Sequence, residues 1–468
     1  MLIFSKKEGG ILSSFTSSFS ATLRELFSEK ELQKKASDCG FYKRKCGFTP
    51  SMFFDILLYC ASRPDTISLS QICSKIRAQF KTKIAKQSLD ARFSEESVAF
   101  VKSVFTELLE KQLSKVFCAD FLSKFNQVRI KDSTRYTVPN RLQNQFKGCG
   151  GGKGTSKAGV SIQYEYDARS GRILDLNVTA GVRNDATDAN ETATNINKDD
   201  LIVRDLGYFN MSVLNGFVER GASFISRLNA CSLIYDPITG NKIEFKDLYI
   251  QMRRKKLERS DNEVIVGKYT PTKLRLIVEV VPEHIYQERI RKVKKSNKEN
   301  GWTTSEEYKA RCRFNIFITN VPGTDLSVDE ALGVYRLRWQ IELTFKSWKS
   351  VCRIDKIQPM KYERFACLLY AKLILILLKT QIISNLRAYY FISKKRLLSD
   401  DKCFKTLRDS YDNLREVWKE GKKKSERKLK ELTSLLSSNH WKEKRNNKKN
   451  LIEIISLLSC KSNNYMYI

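Results

Sequence analysis

At 468 residues the chain is long enough for several domains, and its 84 Lys and Arg against 52 Asp and Glu leave a formal charge of +32 and a pI near 9.6. A content of 41% hydrophobic and 11% aromatic residues supplies a real core, which excludes a disordered cationic condenser. Such a charge is tolerated most readily beside a polyanion, so nucleic acid is the expected partner and an anionic membrane surface the lesser alternative.

Twelve cysteines, Cys39 to Cys460, are scattered singly with no CxxC pair, and His284 and His440 are the only histidines. That composition argues against a zinc site. The start, MLIFSKKEGGILSSF, carries no apolar stretch long enough for a signal peptide, so reduced thiols and a cytoplasmic location are expected. Phe365–Ile383 is 19 mostly apolar residues, but Lys372 and Lys379 lie seven apart on one helical face. A buried amphipathic helix is expected there, with no membrane partner.

In chain order, residues 1–124 read as helical, with apolar spacing near 3.6 at Ile56–Tyr59 and Val98–Leu109. Ser68–Ser94 has the outline of a helix-turn-helix carrying Lys86, Gln87 and Arg92, which makes this region a helical DNA-binding domain or a plain helical hairpin. From Phe125 the pattern alternates. Val128–Asp132, Val160–Tyr166 and Arg172–Thr179 read as strands, the last two joined by the turn Arg169-Ser170-Gly171. A helix over Asp185–Asn197, a strand Leu201–Asp205, a helix Met211–Arg220 and a strand Ser223–Leu228 follow. This order predicts an α/β fold with a mixed sheet over 125–229, resumed over 313–390 by the strand Arg313–Thr319. Residues 230–312 read as a β-rich insertion, with β-type runs at Asn262–Lys268 and Lys273–Val281 and a basic polar segment Arg289–Lys309. The region 391–468, a basic helical tail, holds 20 Lys and Arg against 10 Asp and Glu. Its runs Lys422–Lys424 and Lys448-Lys449 read as solvated helix rather than as a site.

Ser327 and Glu330 form a capping-box pattern that opens a helix running to Val351. On it Tyr335, Arg338, Glu342 and Lys349 fall at roughly 0°, −60°, −20° and −40°, one narrow polar stripe. Leu332, Trp339 and Leu343 flank it on one side and Ile341, Phe345 and Trp348 on the other. An isolated helix with such a stripe would carry an ordinary Arg338–Glu342 surface pair. However, Asp132 and Asp205 each end a predicted strand of one sheet, and three converging carboxylates need a cation between them. Hard oxygen donors favour Mg2+ or Mn2+, and two such ions suit in-line displacement at a phosphodiester.

These residues resemble the DDE transposases of bacterial insertion sequences, in the branch with the signature Tyr-x2-Arg-x3-Glu-x6-Lys. Here the signature is Tyr335, Arg338, Glu342 and Lys349 with every spacing intact. Ile130-Lys131-Asp132-Ser133-Thr134 looks like the first acid motif, and Val203-Arg204-Asp205-Leu206-Gly207-Tyr208-Phe209 like the second. Phe224–Leu228 looks like the strand that follows. The resemblance implies a ribonuclease H-like catalytic core with Asp132, Asp205 and Glu342 as catalytic metal ligands. It implies two Mg2+ ions, replaceable by Mn2+, and no nucleotide cofactor. Tyr335, Arg338 and Lys349 would contact transposon-end DNA, and Arg227 the DNA backbone or the fold. A homodimer on double-stranded DNA, in the bacterial nucleoid, is implied as well, as is a flipped base held by Trp302 or Phe314. The rival readings are a two-metal nuclease that cuts without joining, an inactive DNA-binding relative acting as repressor, and a general RNA-binding protein. The glycine-rich Gly148–Thr155 fails the phosphate-loop pattern, and Asp185 and Asp188 read as helix-start acids.

Overall fold

Among the described residues six α-helices precede the first strand: α1 (Leu2–Leu26), α2 (Glu29–Asp38), α3 (Pro50–Ser62), α4 (Leu69–Phe80), α5 (Lys86–Ala91) and α6 (Glu95–Glu110). Their starts are encoded locally. Thr49 caps α3 with Pro50 in the first turn, and Ser68 and Gln71 form a reciprocal capping box on α4. Lys81, at φ 58°, ends α4 in a left-handed turn, so the helix-turn-helix outline forms, with an α5 of only six residues. The computed structural model of the protein describes residues 2–113, 122–150, 156–267, 270–394 and 396–443. Gly151–Thr155 of the glycine-rich loop and the Lys448-Lys449 pair lie outside the described residues.

One mixed sheet contains β1 (Val128–Val138), β2 (Ala158–Asp167), β3 (Ile173–Ala180), β4 (Leu201–Arg204), β5 (Ser223–Arg227), β6 (Ile234–Tyr235), β7 (Arg259–Val266), β8 (Thr272–Val280) and β9 (Phe314–Thr319). Its spatial order is β3-β2-β1-β4-β5-β9-β8-β7-β6. β1, β2 and β3 form an antiparallel meander, whereas β1, β4 and β5 run parallel. The parallel steps need helical crossovers, which α7 (Asp185–Glu191) and α8 (Met211–Glu219) supply. The turn between β2 and β3 depends on Gly171 at φ 69°, where a Cβ would come within 2.9 Å of the Ser384 side chain.

Residues 230–312 depart from the expected inserted β-subdomain. β9 pairs antiparallel with β5 on one edge and with β8 on the other, so β8, β7 and β6 extend the main sheet. The segment is also helical: α9 (Phe245–Arg254), α10 (Glu283–Asn300) and α11 (Glu306–Arg311) take up much of it. The basic polar segment Arg289–Lys309 is mostly α10, which buries no residue and carries surface pairs such as Glu288–Lys292.

Beyond β9, α12 (Val328–Leu337) and α13 (Trp339–Ser350) replace the single helix expected up to Val351. The Ser327–Glu330 capping box forms as the pattern requires. The break falls at Arg338, whose N–H bonds to the Tyr335 carbonyl while the Ile341 N–H bonds to that of Arg338, a tight three-residue step. α14 (Tyr362–Lys394) is the central core helix and packs on α3, α6 and α1. It includes a stretch, Tyr362–Phe391, long and apolar enough to cross a membrane, most of whose apolar window is buried inside the protein. Lys379 is buried with it, and Lys372 donates to the Arg353 carbonyl at 2.6 Å.

Of the tail helices α15 (Asp400–Asp409), α16 (Tyr411–Lys419) and α17 (Lys422–Asn439), the last two fold back onto α1, while α15 packs on α13 and α14. Trp418 meets Phe27 edge-on at 5.4 Å, and Arg415 clamps the buried Asp55 of α3. The described tail therefore shares a core with the N-terminal helices, while Lys422–Lys424 remain exposed.

Candidate active site

β1 and β4 lie side by side with Lys131 in register against Arg204, and the next residue on each is an acid. Asp132 and Asp205 thus emerge as neighbours where β4 ends, the carboxyl end of parallel strands at which α/β sheets place their sites. α13 brings the third acid. Its buried Ile341, Phe345 and Trp348 seat it on the sheet, with Tyr164 of β2 at 6.0 Å from Phe345 and 5.0 Å from Trp348 between ring centres. Glu342 lies on the half-exposed side of the same helix.

One guanidinium stands among the three acids. Arg338 Nη1 donates to Asp132 Oδ2 at 3.1 Å, Nη2 donates to Glu342 Oε1 at 2.8 Å, and Nε lies 3.7 Å from Asp205 Oδ1. The ordinary Arg338–Glu342 pair therefore exists, but the same arginine also ties α13 to β1 and to the end of β4. Burial is the main reason the Asp132 carboxyl is pushed up to about 6. The Ser133 N–H and Arg338 oppose the rise, whereas the like charges of Asp205 and Glu342 add to it. The donor set is of the kind that takes a hard divalent cation. As arranged, however, no three Asp, Glu, His or Cys side chains among the described residues come together closely enough to hold one. The positive charge in their midst belongs to Arg338.

The rest of the signature is disposed around this cluster. The Tyr335 ring packs on Phe317 at 4.8 Å, and burial pushes its hydroxyl up to about 12, a rise that Arg227 and the neighbouring Arg338 oppose. The guanidinium carbons of Arg227 and Arg338 stand 5.8 and 5.9 Å from the centre of the Tyr335 ring. Lys349 is set apart. Its ammonium donates to the Arg135 carbonyl of β1 at 3.0 Å, beyond the acids.

Residues 123–378, more than half of the chain, match the transposase DDE domain family. The chain is 30% identical over 463 residues to the transposase for insertion sequence element IS231F of Bacillus thuringiensis subsp. israelensis, covering 94% of this chain and 95% of that one. Against the transposase for insertion sequence element IS1151 of Clostridium perfringens it is 28% identical over 460 residues, covering 95% and 97%. The chain belongs to the DDE transposases of insertion sequences. A DDE transposase is an enzyme that acts on DNA, its domain generally works with divalent metal ions, and the mixed sheet found here is consistent with the ribonuclease H-like core of that family.

Several residues of the transposase were misread or missed in sequence. Asp185 and Asp188 do lie in the first turn of α7, with Asn184 rather than either acid as its cap, but both also make contacts that the sequence did not show. Asp185 accepts from Ser133 Oγ at 2.7 Å and from Arg135 at 2.8 Å, directly behind the first acid motif. Asp188 is buried against Lys131 at 2.6 Å, and Lys131 also holds Asp175 at 3.0 Å. A second buried cluster joins Arg129 to Glu165 at 2.9 Å and to Asp200 at 3.2 Å. Burial alone would raise the Glu165 carboxyl, but Arg204 and Arg129 hold it at about 2. The available signal was the alternation Arg129, Lys131 against Ile130, Asp132 on β1, which puts two cations on one face. Trp339, expected to pack beside the stripe, is 55% exposed next to Arg338. Of the two aromatics considered for a flipped base, Phe314 is buried in the core and Trp302 is exposed.

Proposed function

We propose that this transposase acts by cut-and-paste DNA transposition: it binds the terminal inverted repeats of its element, cleaves there, and joins the freed 3′ hydroxyl to target DNA. The observation that carries the reading is the meeting of Asp132, Asp205 and Glu342, from β1, the end of β4 and α13, around a single cation. In this reading the three acids hold two Mg2+ ions, or Mn2+ in their place. Ions so held lower the pKa of a bound nucleophile and stabilise charge on the phosphate. Water is the first nucleophile and the 3′ hydroxyl the second.

The protein's own contribution is positioning. Arg338, Arg227 and Lys349 offer charge-assisted hydrogen bonds to backbone phosphates near the cleaved strand, and the Tyr335 hydroxyl beside Arg338 offers one more donor. We assign residues 1–124 to end recognition, with Lys86 and Gln87 exposed on α5 as the groups facing DNA. Residues 125–229 and 313–390 form the catalytic core, 230–312 its insertion, and 391–468 a basic tail. Because two ends must be brought together, the active form on DNA is a homodimer.

The test is a cleavage and strand-transfer assay on duplexes carrying the sequences that flank the gene, with Mg2+ or EDTA, comparing wild type with Glu342→Gln. Losing even an outer-shell partner of a metal ligand costs about 10–100-fold, so loss of Glu342 itself should lower cutting and joining by at least about a hundredfold. Cutting without joined products would favour a nuclease. End binding with no metal-dependent cutting by wild type would leave a DNA-binding relative as the better account.

A further inference from the structure

We propose that Arg338 is a latch that keeps divalent metal out of the acid cluster until DNA draws it away. The proposal rests on the metal role assigned above to Asp132, Asp205 and Glu342. Three observations carry it. First, the guanidinium spans all three acids, at 3.1 Å from Asp132, 2.8 Å from Glu342 and 3.7 Å from Asp205. A divalent ion has to displace those contacts to enter, and among the described residues no ready-made cation site stands beside them. Second, Arg338 sits at the one-residue step between α12 and α13, its own backbone still in the right-handed helical region, so both helices hold its side chain toward the acids. Third, its buried Nε has only the 3.7 Å ion-pair contact with Asp205 and makes no hydrogen bond among the described residues. A buried donor without a hydrogen bond is costly where water is excluded, and a phosphate oxygen would satisfy it.

The exchange balances in charge. Without DNA, the guanidinium offsets the mutual repulsion of the acids and holds the cluster assembled. When a phosphodiester arrives, Arg338 exchanges carboxylate partners for phosphate oxygens, which its planar fork fits equally well. The acids are left uncompensated and take up the metal. DNA and metal binding are then positively coupled, and each must tighten the other by the same factor. Cutting is thereby confined to the DNA-bound enzyme without a separate lid.

Mn2+ affinity, read by the electron paramagnetic resonance signal of free Mn2+, tests this without any turnover. The full-length protein would be titrated alone and with an end duplex lacking its 3′ hydroxyl, as wild type, Arg338→Gln and Asp132→Asn. The expected result is that DNA tightens Mn2+ binding to wild type by about tenfold or more, the usual range for coupled sites. Arg338→Gln should bind Mn2+ tightly without DNA and gain little from adding it, and Asp132→Asn should bind weakly throughout. Equal Mn2+ affinity of wild type with and without DNA would overturn the latch, a comparison that needs no variant to fold. So would equal DNA-free affinities of wild type and a folded Arg338→Gln, even with binding still dependent on Asp132. Mn2+ binding unaffected by Asp132→Asn would instead remove the metal role of the acids, and the latch with it.

Discussion

Lys131 and Asp132 are consecutive on one strand, yet their side chains enter opposite chemistries. Lys131 is fully buried between Asp188 at 2.6 Å and Asp175 at 3.0 Å, whereas Asp132 faces the Arg338 cluster. A strand turns successive side chains to opposite faces, so the ion cluster behind β1 sets the position of the strand that carries the first acid. Breaking a buried pair leaves a charge with no partner, which typically costs about 3–5 kcal/mol. Asp188→Asn, which leaves Lys131 with Asp175 and loosens Arg183, should lower stability by about 1–3 kcal/mol, less than a fully stranded charge would cost, in urea unfolding. A loss below about 1 kcal/mol would mean that the pair behaves like a solvated surface bridge.

At the scale of the element, α14 explains how a stretch with the composition of a membrane span serves as a core. Its apolar residues are covered by α3, α6 and α1, and it carries two lysines with little access to water. Burial holds Lys372 down to about 8 from an ordinary 10.5, with Cys352 and Asp355 opposing the shift, and burial lowers Lys379 too. A lysine depressed in the folded state is more easily neutralised there than in the unfolded chain. Its contribution to stability is therefore full above 10.5 and is lost as pH falls toward 8. Lys372→Met should raise the melting temperature at pH 7 and flatten the part of the stability rise between pH 8 and 10.5 that Lys372 supplies. An unchanged pH profile in the variant would show that Lys372 is solvated.

At the scale of the whole molecule, the two ends of the described chain meet. Asp55 of α3 is buried, accepts from Gln79 of α4 at 2.7 Å, and receives Arg415 of α16 through two contacts from Nε at 2.8 and 3.0 Å. This node ties the proposed DNA-reading helices to the tail, so tail and N-terminal region should unfold together. Arg415→Met should destabilise by about 3–5 kcal/mol through the stranded Asp55. Hydrogen exchange should then rise in α3 and α4 as well as in α16. Faster exchange confined to α16 would mean that the node does not couple them.

What the sequence by itself determined is local or periodic. The strands from Val128 to Arg227, the capping boxes at Ser68 and Ser327, and the helix-turn-helix outline follow from side-chain alternation and from caps reaching three residues ahead. The acids were legible because alternation puts Asp132 and Asp205 on neighbouring parallel strands, although β1 does not end at Asp132 as expected but pairs with β2 as far as Val138, and because the spacing from Tyr335 to Lys349 is a fixed pattern in one segment. The tertiary structure decided what depends on partners far away in the chain. Asp132 lies 206 residues from Arg338, and Asp55 lies 360 residues from Arg415, distances over which no local preference acts. Strand propensity identified β7 and β8 but could not say which edge they would join, because any open edge offers the same backbone donors and acceptors. Nor could the helical wheel foresee that Arg338 meets Asp132 and Asp205 as well as Glu342, since helical periodicity is silent on which strands a helix face is laid against.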